Sequence, residues 1–279
     1  VQHRADKRGT VTVHTFVAEN VPPLRPEARS LPARDLLASA TVSTVPSWDY
    51  FSSWGRSLTN EVFEMTPALT KKLEEISSGA GTVAEKVRRV YGYALANVRY
   101  QQDYETFIAG VKPHAASVVL ARGYGDCKDK SVLMIAMLRA LGIEAHFALI
   151  RTRRVGKVHG KVPSQQFNHA VVYLPAQKGV AKARFLDATA ENLDIDTLRG
   201  DVQGTTALVL VGGGHRLIDV RYQAPRFNRM EMELALKEED LEREIRERDA
   251  RLRSKKGFER VAYESYIQAA MGMDLKTLR

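Results

Sequence analysis

Cys127 is the only cysteine in the 279-residue chain, and a lone thiol does chemistry only where its surroundings favour negative charge. It stands in the run Gly123-Tyr124-Gly125-Asp126-Cys127-Lys128-Asp129-Lys130, directly ahead of an apolar stretch that ends at Gly142. Asp126, with Asp129 three residues on, reads as a helix start and Gly142 as its stop, so Cys127 is expected to be the first residue of a helix. At that place the unpaired backbone N–H groups and the helix dipole favour negative charge, which is the condition for a nucleophilic thiolate. Lys128 and Lys130 act in the same sense, whereas Asp126 and Asp129 oppose it. The competing reading is a structural thiol, because unpaired cysteines are among the most buried residue types.

A nucleophilic thiol needs a base, and seven histidines are available. His3 and His14 lie in the leader. His114 follows Pro113 and is placed to cap a short helix, His146 interrupts an apolar strand, His159 sits in a Gly- and Lys-rich loop, and His215 follows three glycines. His169 opens an otherwise apolar strand, and the next strand ends in Phe185-Leu186-Asp187-Ala188. A hairpin symmetric about Lys178 sets His169 opposite Asp187, within reach of a hydrogen bond that would orient the imidazole. A strand-end histidine paired with an acid for structure fits the same residues. Between Asp187 and Asp196 the acids lack the spacing and central glycine of a calcium loop, and one cysteine among scattered histidines does not make a zinc site. Neither a metal nor a cofactor is expected.

The elements that must position these residues follow from periodicity. Residues 11–17 alternate as a strand, and Pro22, Pro23, Pro26 and Pro32 then interrupt regular structure. In 42–54, Trp48, Tyr50, Phe51 and Trp54 are spaced either to lay an aromatic arm across the following domain or to pack locally. Thr66-Pro67 starts a helix over 68–76. Thr82 and Glu85 form a capping box for a helix whose Val83, Val87, Val90, Tyr91, Ala94, Leu95 and Val98 make one apolar stripe, and 115–120 adds a short helix. After the Cys127 helix come runs of strand character at 145–150, 169–174, 183–188 and 208–211. Helices first and then an antiparallel sheet predict an α+β domain. Met230, Met232, Leu234 and Leu236 read as a one-sided strand. The tract 237–256 pairs opposite charges at helical spacing and suits a solvated helix or a charged edge strand equally.

The net charge of +9 comes from basic residues interleaved with acidic ones, without the aromatic and basic alternation of a stacking platform, so nucleic acid is not expected as a partner. No apolar run reaches the length of a membrane span. Val1 opens neither a signal peptide nor an initiator-methionine start, and the chain is expected to belong to a longer parent with other domains.

The segments GYGDCKDKSVLMIAMLRALGIEA, QFNHAVVYL and FLDATAENL resemble the bacterial transglutaminase-like superfamily. WDYFSSWGRSL, NVRYQQ and VQGTTALVL extend the likeness toward a subgroup in which a β-sandwich domain of unknown function precedes the core. The resemblance implies a papain-like core of helices on an antiparallel sheet over 42–225, with partial β appendages at 1–41 and 226–279. It implies Cys127 as nucleophile, His169 as general base and acid, and Asp187 as orienter. Tyr100, Gln101 and Asn168 are candidates for the oxyanion site or for positioning substrate, and the loop 151–166 for a wall or lid. The expected reaction is acyl transfer through a thioester on amide bonds of proteins or peptides, in an exported, periplasmic setting. The alternative is an inactive module that binds polypeptide or cell-envelope material.

Overall fold

The computed structural model describes residues 1–23, 30–102, 111–191 and 193–223. The chain divides into two units, Val1–Asn228 and Arg229–Arg279. The second unit, with the strand expected from Met230 and the charged tract 237–256, lies outside the described residues.

Two strands, β1 (Gln2–Arg8) and β2 (Val11–Val17), form a hairpin of their own with Arg8 opposite Val11. A short α1 (Ala33–Leu36) follows, and then α2 (Trp48–Ser57), capped by the Ser47 hydroxyl. The aromatic segment is thus helical from Trp48 on. With Ser47 as cap, Trp48 and Phe51 fall three apart and share the buried side of the helix, where both pack against Phe167. The Trp48 indole donates to the Gly160 carbonyl at 2.7 Å, and Ser52 and Arg56 donate to the Gly214 carbonyl.

Thr66 caps α3 (Pro67–Ser77), and Thr82 with Glu85 closes the capping box of α4 (Val83–Asn97). β3 (Arg99–Tyr100) then pairs in parallel with β4 (Tyr124–Gly125), which follows α5 (Ala116–Arg122). Gly123 ends α5 with a φ of 66°, a left-handed turn that favours glycine. α6 (Cys127–Ala140) is the hub. Every residue from Lys128 to Leu138 is buried, which accounts for a sequence that is apolar on nearly all sides. Full burial of each Leu, Ile or Met on this helix stabilises by about 1.5–3 kcal/mol.

The main sheet holds β5 (His146–Ile150), β6 (His169–Leu174), β7 (Arg184–Leu186), β8 (Thr205–Val211) and β9 (Gly214–Val220), in the order β7-β6-β5-β8-β9 with every pair antiparallel. With six helices among the described residues, this makes the expected α+β fold. Both faces of the central strands are covered. Ala170, Val172 and Leu174 join the cluster that contains the helices, whereas Val171 and Tyr173 join a second cluster with Ala148, Ile150, Ala207 and Val209. That is why β6 reads as an unbroken apolar run rather than an alternating one. β9 was not expected from the sequence. Its signal was Gly212-Gly213, which forms the two-residue turn between β8 and β9.

Candidate active site

The geometry of the site starts at the front of α6. The Asp126 carboxylate accepts from the backbone N–H of Lys128 and Asp129, and Asp129 returns a bond from the Asp126 N–H, which together make a capping box. Gly125 fits only without a side chain, since a Cβ there would lie 2.6 Å from that of Asp129. His114 does not cap α5, whose first turn has no side-chain cap. Its backbone and ring instead bond the Asp129 carboxylate at 2.8 and 3.1 Å, because the helix-entry carboxylate has lone pairs left over once the box is made. The two lysines expected to bias the thiol are occupied elsewhere. The Lys128 ammonium pairs with Asp126. The fully buried Lys130 donates to the Val98 carbonyl at the end of α4 at 2.6 Å, and burial pulls its pKa down to about 8.

His169 and Asp187 come together, though not through the expected register. Val172 faces Leu186, so the β6–β7 hairpin is symmetric about Gly179 rather than Lys178. The turn closes between Gln177 and Val180, and one further residue between Val180 and β7 completes the shift. Side chains along a strand alternate with period two, so a two-residue offset keeps both groups on one face and makes them diagonal partners. The His169 Nε2 meets Asp187 Oδ2 at 2.8 Å, with both side chains almost wholly buried. The Asp187 Oδ1 accepts from the Thr189 hydroxyl at 2.7 Å and its N–H at 3.1 Å. The Tyr91 hydroxyl, buried under the sheet, holds the backbone carbonyl of Asp187 at 3.2 Å. Thr189 and Tyr91 escaped the sequence reading as site residues, although aspartate followed two residues on by threonine is a local turn signal.

Charge in this cluster favours an imidazolium. Burial alone would lower the His169 pKa, but the hydrogen bonds and negative charge of Asp187 and Cys127 outweigh it and push it up to about 9. Burial would likewise raise the Asp187 carboxyl, and the His169 and Thr189 bonds hold it below its usual value instead. With Nε2 on Asp187, Nδ1 is the ring nitrogen left for the Cys127 thiol.

Residues 70–179 match the model of the transglutaminase-like superfamily. That stretch of the chain is similar to the superfamily. The matched segment carries Cys127 and His169, and Asp187 follows just beyond it. Two solved structures are similar to the chain. One is a "putative protease" from Parabacteroides distasonis, at 15% identity and a TM-score of 0.48, covering 79% of this chain and 40% of that one. The other is a "putative cysteine protease" from Cytophaga hutchinsonii, at 21% identity and a TM-score of 0.32, covering 44% and 37%. The chain thus spans less than half the length of either relative. No curated protein matches it.

A cleft of about 120 Å³ opens beside Cys127 and His169. Phe51 and Trp54 of α2, with Phe147, Phe167 and Leu210, give it apolar walls. Of the residues expected to position substrate, Tyr100 lies near the thiol. Burial, with the charge of Cys127 and Asp126 adding to it, pushes its hydroxyl up to about 12. The Gln101 side chain turns away to accept from Arg99 at 2.6 Å, and its backbone N–H is spent on the Gly125 carbonyl. Gln102 lines the cleft instead. Alternation along the extended 99–102 segment explains this, since it puts residues 100 and 102 on one side. Asn168 borders the cleft, but both ends of its amide bond Thr152, at 2.8 and 3.0 Å. Its contribution is to fix the strand entrance next to His169. The 151–166 loop meets α2 through Gly160, and its Gln165 lines the cleft.

Proposed function

We propose that this transglutaminase-like chain is a cysteine acyltransferase or acyl hydrolase that acts on amide bonds of proteins or peptides through a thioester. The single observation that carries the reading is a buried imidazole between the Asp187 carboxylate and the Cys127 thiol, at the N-terminus of a helix. His169 takes the Cys127 thiol proton, which makes the thiolate and imidazolium needed for attack.

The Cys127 sulfur attacks the amide carbonyl carbon, and the C=O electrons move onto oxygen. The Cys127 backbone N–H, free at the start of α6, is a donor for that oxyanion, and Gln102 and Tyr100 are the side chains nearest to add a second. His169 Nδ1 gives its proton to the leaving amine as the C–N bond breaks, which leaves a thioester and a neutral imidazole. His169 then takes a proton from water or from a second amine as that nucleophile adds, and the thiolate departs. Water makes the reaction a hydrolysis and an amine makes it a transfer. The apolar walls of the cleft support an acyl donor with a large uncharged side chain.

The test is the rate of Cys127 alkylation by iodoacetamide against pH in the folded protein and in His169→Ala. The expected result is fast labelling well below pH 8 in the wild type, slowed by about 10²-fold at pH 6 in the variant. A rate that follows an ordinary thiol in both proteins would sink the reading and favour a module that binds polypeptide or cell-envelope material.

A further inference from the structure

Away from the Cys127 cleft, Arg151 follows directly on β5 and is one of the largest fully buried side chains, 1% exposed. A guanidinium stays charged at any ordinary pH, and a charge taken out of water is costly unless an opposite charge is supplied. Arg151 makes no ion pair among the described residues, and the attraction of nearby Asp35 is opposed by the repulsion of Arg34. One Nη donates to the Val155 carbonyl at 3.1 Å, the other makes a long 3.5 Å contact to Gln166, and Nε has no hydrogen-bond partner. Arg151 lines a cavity of about 610 Å³ that shares no residue with the Cys127 cleft.

The other charges on that cavity are Arg153, Arg154 and Lys157 on one side and Asp35 and Asp201 on the other. Asp201 is neutralised by a two-point pair with Arg199, at 2.7 and 3.1 Å. Asp35 accepts from the Lys157 backbone N–H at 3.1 and 3.2 Å, so the loop already cradles one carboxylate. Four cations against one uncommitted carboxylate leave an excess of three positive charges. A dianion balances that excess better than a second carboxylate.

From these observations we infer that the Arg151 cavity is a binding site for a phosphate group, held by the Arg151 guanidinium with Arg154 and Lys157 at its mouth. Planar guanidinium matches phosphate oxygens two at a time. The site is built into the core rather than laid on it. Arg151 is adjacent to Thr152, whose N–H and hydroxyl bond Asn168.

Thermal unfolding and calorimetric titration of the chain with sodium phosphate test this, with chloride at matched ionic strength as the reference. Saturable stabilisation by phosphate is expected. Arg154→Ala and Lys157→Ala, both at exposed residues that leave the fold intact, should weaken binding about threefold each. Arg151→Met should weaken it about 10- to 100-fold. Asp35→Asn removes the competing negative charge and should tighten binding about fivefold. Glycerol phosphate is run beside inorganic phosphate. Tighter binding of the ester identifies a phosphorylated small molecule as the occupant, and equal binding identifies free phosphate. Stabilisation that does not saturate, that chloride reproduces, or that persists unchanged in the Arg154, Lys157 and Asp35 variants overturns the inference.

Discussion

Two buried cations in this molecule are treated in opposite ways. The His169 imidazole is enclosed with a carboxylate 2.8 Å away, and that carboxylate is itself bonded by Thr189. The Arg151 guanidinium is enclosed just beyond the strand that pairs with His169, with only neutral oxygens to bond. The first arrangement is complete within the chain, and its charge is stabilised by what folding brings together. The second is complete only if an anion arrives from outside. Burial by itself therefore says little about a charged group, because the same loss of water stabilises a paired site and leaves an unpaired one dependent on a ligand.

Breaking the paired site should cost most. Asp187→Ala leaves an imidazolium buried without its counter-charge and should destabilise the fold by about 3–5 kcal/mol at pH 6, measured by urea unfolding. A loss below about 1 kcal/mol would mean that the pair is not closed as described.

The next effect is on pH dependence. The folded pKa of His169 lies near 9 against an ordinary 6.5. Its contribution is therefore fully present below pH 6.5 and is lost as pH rises through 9, on the order of 3 kcal/mol in all. Asp187 is depressed below 3.8, so its contribution holds above that pH and fades as pH falls through its folded value. The stability difference between wild type and His169→Ala should be flat from about pH 4.5 to 6.5 and shrink toward pH 9. Taking the difference cancels Lys130, whose lowered pKa acts with the opposite sign between pH 8 and 10.5. A difference that grows across the alkaline range would contradict the pairing.

The smallest effect belongs to the unpaired site. In phosphate-free buffer, Arg151→Met removes a charge that has no ion-pair partner among the described residues and fills the same space with apolar atoms. Its stability should stay within about 1 kcal/mol of wild type, on either side. A loss as large as that of Asp187→Ala would show that Arg151 is satisfied inside the chain and would erase the contrast.

The parts of the site that were legible in the sequence are those set by neighbours along the chain. The capping box on α6, the place of Cys127 at its first position and the Thr82–Glu85 box all involve bonds between residues a few positions apart, and the strand that begins at His169 shows in its unbroken apolar run. Period and cap chemistry fix these before any tertiary contact forms. The meeting of His169 with Asp187 was legible only by face. Period two decides which side of a strand a residue takes, whereas the turn at Lys178-Gly179 and one extra residue between Val180 and β7 decide which residue it faces. Gln101 was preferred to Gln102 because the extended 99–102 segment was not resolved from the helix before it.

By itself, the sequence determined that a thiol would stand at the start of a buried helix, that helices would precede an antiparallel sheet, and that a histidine and an aspartate would end adjacent strands on one side. Tertiary structure alone decided that α2 walls the cleft, that Lys130 spends its charge away from the thiol, and that Arg151 is buried with no ion pair among the described residues. The physical reason is range. Caps and periodicity act within a turn or a strand, whereas burial and charge balance depend on which distant segments exclude water from the same place.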